Sequence, residues 1–151
     1  MDNKQFVLSS GLRHIPVIMD GEETGRYVDF NPSSQEFAED LYALVSRVSK
    51  IHEMKEEARK AETDILKKFD INRAEDKEMR AAVDAVFGDG FCGDVFKVRL
   101  FAVCDGLTII ENFLFSVMDE MDAAIMDNIA KRDAIIRKYT NKYSKYKKYH
   151  N

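Results

Sequence analysis

The sequence predicts an α+β, mainly α fold: a short N-terminal antiparallel β element of about three strands, followed by three to four helices, two of them long. Three observations predict it. Only two prolines and seven glycines interrupt 151 residues, too few for a many-turned β-sandwich. Beyond residue 32 the apolar residues recur at +3 and +4, the period of a helix with one buried face. Before residue 32 they fall instead in short runs bounded by Gly and Asp-Gly. With 45% hydrophobic and 33% charged residues, the chain has enough apolar material for a core and a densely charged surface, which excludes collagen-like and disordered classes.

Three runs read as strands: Lys4 to Ser9, His14 to Met19 and Arg26 to Phe30. Gly11 lies in the first connection, and Asp20-Gly21 and Gly25 in the second, where turn residues belong. Pro16 lacks a ladder donor, so the middle run is an edge or is bulged there. Ser33 and Glu36 have capping-box spacing and predict a helix start. Phe37, Leu41, Leu44, Val48 and Ile51 form its seam, continued after one slip by Met54, Ala58, Ala61 and Ile65. A break is expected at Asp70 to Asn72, with Asn72 and Glu75 as a second capping pair. Met79, Ala82, Val83, Val86 and Phe87 form the next stripe, ended by Gly88-Asp89-Gly90. Residues 95–103 fit either a short helix or a strand, and a helix capped by Asp94 is the preferred reading. Thr108 and Glu111 again have capping-box spacing and open the longest helix, to about Lys148.

These boundaries give a single α+β domain over 1–130, with the β element at 1–31 and the helical part at 32–130. Residues 131–151 read as a basic Tyr/Lys-rich C-terminal helix extension or tail. At 1.5 Å per residue the helices 33–69 and 109–148 would be about 55 and 60 Å long. A compact chain of this length is only about 38 Å across. Either the helices break or the molecule is elongated, and elongation with self-association into a homo-oligomer is the expectation.

Charge is uneven. Residues 131–151 hold eight Lys and Arg against one acid, a net +7. Within the overall −4 this leaves residues 1–130 at −11. An acidic body and a basic tail attract one another, within a chain or between chains.

Other functional classes find little support. The longest apolar run, Leu107 to Met118, is too short to span a membrane and contains Glu111. The N-terminus lacks the basic-then-apolar pattern of a signal peptide. Cys92 and Cys104 have no CxxC spacing and read as reduced thiols. His14, His52 and His150 make no HExxH motif or zinc spacing. His52 reads as a boundary residue of the first helix. Asp20 to Gly25 loosely resembles a calcium loop, but Asn31 stands where a bidentate Glu is needed, so it reads as a hairpin turn. The segments 88–90 and 92–94 are too acidic to cradle phosphate. Asp119, Glu120, Asp122 and Asp127 lack the Glu-x-x-His pairs of a di-metal helix bundle and read as a solvated face. The Tyr/Lys tail has the residue types that bind nucleic acid, but the −11 body opposes it. No catalytic residue, cofactor site or metal site is predicted, and the chain reads as non-enzymatic.

The segment Gly25-Arg26-Tyr27-Val28-Asp29-Phe30-Asn31-Pro32-Ser33-Ser34-Gln35-Glu36-Phe37-Ala38-Glu39 resembles the start of small proteins from tail-morphogenesis regions of phages and prophages of Gram-positive bacteria. The stretch from Phe87-Gly88-Asp89-Gly90 through Val98 to Leu107 and on to Asn112-Phe113-Leu114 is similar to a second marker of that group. The resemblance covers roughly residues 25–125 and carries no catalytic signature. It implies a tail assembly chaperone in the host bacterial cytoplasm, holding apolar helices of the tape-measure protein soluble. Helix-in-groove recognition uses Met and aromatic residues, and seven Met and ten Phe are present. The residues expected to meet a protein partner are Phe113, Phe115, Met118, Met121, Ile125, Tyr139, Tyr143 and Tyr146. Two alternatives stand beside this: an acidic phage-encoded inhibitor occupying a basic groove of a host protein, and a minor structural tail component.

Overall fold

The computed structural model describes residues 4–150, with side chains as far as Lys142. Strands β1 (Arg13–Met19) and β2 (Glu22–Phe30) form an antiparallel hairpin. Helices α1 (Gln35–Ala61) and α2 (Ile65–Phe87) follow, then a one-turn helix α3 (Phe91–Val95). Two-residue strands β3 (Val103–Cys104) and β4 (Leu107–Thr108) pair before the long helix α4 (Ile109–His150). The architecture is mainly α, with two strands rather than three in the N-terminal sheet. Lys4 to Ser9 is not a strand: Phe6, Val7 and Leu8 are almost fully exposed. Alternating apolar residues satisfy only half of what a strand needs; without a neighbouring edge their amides have no ladder to join.

Asp20 and Gly21 turn the hairpin with φ of 53° and 78°, the pair of positive values a type I′ connection requires. The register shifts between Pro16 and Ile18, the bulge that a missing donor favours. One face of the hairpin, Ile15 and Val17 with buried Val28 and Phe30, turns inward. Asn31 then ends the sheet by a side-chain turn, its Oδ1 accepting from Ser33 N (3.0 Å) and Ser33 Oγ (2.6 Å). Ser34, one residue later than the expected cap, accepts from Phe37 N at 3.3 Å.

The first long helix breaks at residues 62–64 and not at 70–72. Asp64 caps α2 by accepting from Leu66 N at 3.0 Å, and α1 and α2 fold back as a helical hairpin. Asn72 and Glu75, the expected capping pair, lie inside α2 and reach across to α1 instead. The seam to Ile51 is buried as expected, but beyond it Met54, Ala58, Ala61 and Ile65 are exposed. Past the slip the inward face is polar, formed by His52, Lys55, Glu56 and Arg59.

The segment 95–103 is not helical either. Three acceptors and donors that a helix would need for its own ladder are taken by α2 side chains. Arg80 donates to the carbonyls of Cys92 (3.1 Å), Phe96 (3.2 Å) and Val98 (2.8 Å), and Asp76 Oδ1 accepts from Leu100 N (2.9 Å). Asp84 Oδ1 accepts from Cys92 N at 2.9 Å. Asp76, Arg80 and Asp84 stand four residues apart, so one face of α2 holds the loop down. Asp94 sits within α3 and accepts from Arg26 Nε at 2.7 Å, tying β2 to it. Gly90 is needed beside this pair: it has φ +74°, and a Cβ there would lie 3.1 Å from the Arg26 guanidinium.

The capping box at α4 forms as expected. Thr108 N and Oγ1 donate to Glu111 Oε1 (2.9 and 2.8 Å), and Thr108 Oγ1 accepts from Glu111 N (3.2 Å). Phe91, Leu41, Met79, Leu100, Ile110 and Leu114 are fully buried at the centre of the core. With 42 residues α4 is about 63 Å long and runs without interruption across the 130/131 boundary. No helix among the described residues is long and apolar enough to cross a membrane.

Candidate interaction surface

The sheet's inward face is wider than the helices that cover it. Between β1 and the first turns of α4 lies an open groove of about 590 Å³. Ile15 and Val17 form one wall, Ile109, Phe113 and Val117 the other, with Val95 and Phe96 beneath. Period-2 alternation in β1 and the +4 spacing of 109, 113 and 117 in α4 set these walls facing each other. Phe113 joins the groove to the core, its ring 5.2 Å from Phe87 and 5.6 Å from both Phe91 and Phe96. At the rim Asn112 Nδ2 donates to Cys104 O (2.8 Å) and Ser116 Oγ to Asn112 O (2.7 Å), while Asp20, Asp105 and Glu120 add carboxylates. The facing walls and the floor are aliphatic and aromatic.

The expected contact residues divide into three groups. Phe113, Phe115 and Met118 are half-buried, Phe113 lining the groove and Met118 packing on the core. Met121 is buried, at 6% exposure. Ile125 and Tyr139 are exposed, on the part of α4 that leaves the body. The side chains of Tyr143 and Tyr146 lie outside those described. The β1 wall of the groove, Ile15 and Val17, is absent from the expected set. Its sequence signal was the alternation in His14 to Met19, read there only as a strand.

A second feature escaped sequence reading. Glu75 is fully buried between α1 and α2, its Oε1 2.7 Å from His52 Nδ1 and its Oε2 accepting from Arg59 at 2.6 Å. Arg59 also donates to Glu56 (2.7 Å) and Asn72 (3.2 Å) and lies over the Phe101 ring at 5.5 Å. Burial lowers the Arg59 pKa, but its bonds to Glu75 and Glu56 outweigh that and hold it above the ordinary value. The hydrogen bond and charge of Arg59 hold the Glu56 carboxyl below its ordinary range. Both carboxylate oxygens of Glu75 are occupied, so the cluster acts as an electrostatic clamp closing the helical hairpin.

Burial and the neighbouring Asp84 push the Cys92 thiol well up, leaving it an inert core residue. No group of three His, Cys, Asp or Glu side chains among the described residues is placed to hold a metal ion. Searches against protein-family models, curated proteins and solved structures found no match to the chain.

Proposed function

We propose that this chain is a non-enzymatic phage protein that binds other proteins, a tail assembly chaperone shielding apolar helices of the tape-measure protein in the host bacterial cytoplasm. The observation that carries the reading is the apolar groove between β1 and α4. Its walls offer branched aliphatic side chains and a phenyl ring, its carboxylates lie only at the rim, and it is open along one side. A client helix presenting apolar residues at i, i+3 and i+4 has the shape and chemistry to lie there. Half-buried Phe113 is held by three other phenylalanines, so the floor is pre-formed and little ordering entropy is lost on binding.

The test is co-expression with the adjacent reading frames, including the one for a long helical protein, followed by affinity purification at ~1 M salt, where screening shortens to about 3 Å. Recovery of a soluble complex with that helical protein, lost on Val17→Glu, supports the chaperone reading. The −11 body favours a second reading, an acidic inhibitor of a host protein's basic groove. That reading expects a host partner released steeply by salt. Retention of the chain in purified particles would instead identify a structural tail component.

A further inference from the structure

The distal half of α4 has left the body of the molecule. Ile110, Leu114, Val117, Met121 and Ala124 are buried, whereas every residue from 125 to 142 is exposed. Yet this exposed stretch carries a regular apolar seam. Ile125, Ile129, Ile136 and Tyr139 fall at heptad spacing, with Arg132 in the one vacant slot, and the sequence continues the spacing through Tyr143 and Tyr146. At 100° per residue the seam is rotated by roughly 60° from the buried stripe, so it does not point back at the domain's own core. Ile129 and Ile136 are each 48% exposed and Tyr139 60%. A helix this far from any core relies on packing against another element for most of its stability.

Charge identifies the occupant. Residues 119–127 carry four acids and no base, a net −4; residues 141–149 carry four lysines and no acid, a net +4. The geometry and the charge pattern together lead us to propose that this segment pairs with the same segment of a second copy, as an antiparallel two-stranded coiled coil centred on Ala134. In that register residue 119 faces residue 149 of the second copy and 127 faces 141, so each acidic stretch lies along a basic one, within a Debye length of about 10 Å. Parallel pairing sets acid on acid and lysine on lysine. The core layers are Ile129 on Tyr139 and Ile136 on the stem of Arg132, each across the two copies. Arg132 keeps its guanidinium in water while its methylenes cover Ile136. One polar residue in a heptad core fixes register. Lys131, Arg137 and Lys138 occupy outward positions, Lys131 already paired with Asp127 at 2.9 Å. The inference does not depend on a client protein, and its test contains none.

The experiment places a nitroxide at Glu120→Cys or at Ala134→Cys, both exposed sites, in the full chain carrying Cys104→Ser, and measures electron dipolar distances. Buried Cys92 is shielded from the label. Antiparallel pairing gives a short distance for labels at 134, set by helices about 8–10 Å apart plus the label arms. It gives about 42 Å for labels at 120, because 28 residues of helix separate them. Short distances at both sites mean parallel pairing, and no dipolar signal at either means a monomer; each overturns the proposal. Ile129→Ser with Ile136→Ser is expected to raise the dimer dissociation constant by about 100-fold or more, since two seam side chains lose their burial. The urea midpoint of the body, read on the same variant, reports that the domain still folds. Unchanged association with an intact midpoint also overturns the proposal.

Discussion

Two helical projections leave the core of this molecule, and they are built in opposite ways. The tip of the α1–α2 hairpin turns polar side chains inward and leaves Met54, Ile65, Leu66 and Phe69 exposed. It is closed by Glu75 with His52 and Arg59, and also by Lys55 to Glu78 at 3.3 Å. The distal half of α4 has an ordinary amphipathic seam, and no other element among the described residues covers it. The hairpin tip is held by specific, directional bonds between its two helices. The α4 projection offers non-directional apolar surface. The difference separates a projection closed by contacts within its own chain from one whose apolar seam is exposed.

The comparison breaks most sharply at Glu75. Glu75→Leu leaves the Arg59 guanidinium, only 16% exposed in its side chain, facing an apolar neighbour. Removing one partner of a buried ion pair costs about 3–5 kcal/mol, so the urea midpoint falls by a large fraction of the total stability. The double variant Arg59→Met with Glu75→Leu removes the stranded charge and is expected to recover most of that loss. A Glu75→Leu protein as stable as the parent would mean that the clamp does not hold the tip.

The loop fastened to α2 gives a smaller effect. Asp76→Ala deprives the fully buried Leu100 of its amide acceptor and frees Arg80 from its 2.8 Å partner. An unsatisfied buried donor costs about 1–3 kcal/mol, and amide exchange should quicken at residues 96–100 before it does in α1. Thr108→Ala removes the hydroxyl half of the capping box at the root of α4, leaving Glu111 N without its side-chain acceptor, for about 1 kcal/mol. That loss appears in the thermal midpoint, while the dipolar distance at 134 stays unchanged because the seam lies far from the cap.

Which parts of this were readable from sequence follows a physical line. The Asp20-Gly21 turn, the stop at Gly88-Asp89-Gly90 and the Thr108–Glu111 cap depend on residues within four positions of each other, and all three formed as expected; Gly25, expected in the same connection, lies instead inside β2, which starts at Glu22. The break at 62–64 was missed because Ala61 and Ile65 keep perfect +4 spacing across it, while Asp64, the cap itself, is a single polar residue. Asn72 and Glu75 looked like a cap because i and i+3 spacing is shared by caps and helix faces; their true partner, Arg59, is 13 and 16 residues away. The irregular 96–102 segment was illegible for the same reason, since its backbone is bonded by Asp76 and Arg80 some 16 to 24 positions earlier. Of the interaction surface, the α4 wall was visible as an excess of apolar residues. The β1 wall was not, because a strand's alternation says which face is buried without saying how completely the rest of the fold covers it.

The smallest effect expected concerns acid. Glu56 lies on the rim of the clamp, its side chain 44% exposed, and the Arg59 hydrogen bond and charge hold its carboxyl below the ordinary 4.5. The unfolded chain therefore takes up the Glu56 proton at a higher pH than the folded one does. The stabilisation is complete above about pH 4.5 and is lost as pH falls through the depressed folded value. An exposed pair of this kind is worth only about 0.3–0.5 kcal/mol, so Glu56→Gln should flatten the fall in stability between roughly pH 5 and 3 by that amount and leave the neutral-pH fold intact. The slope is diagnostic because Arg59 serves two carboxylates. If protonating Glu56 released Arg59 altogether, the loss would approach that of Glu75→Leu; a shallow slope means that the inner pair alone keeps the hairpin closed.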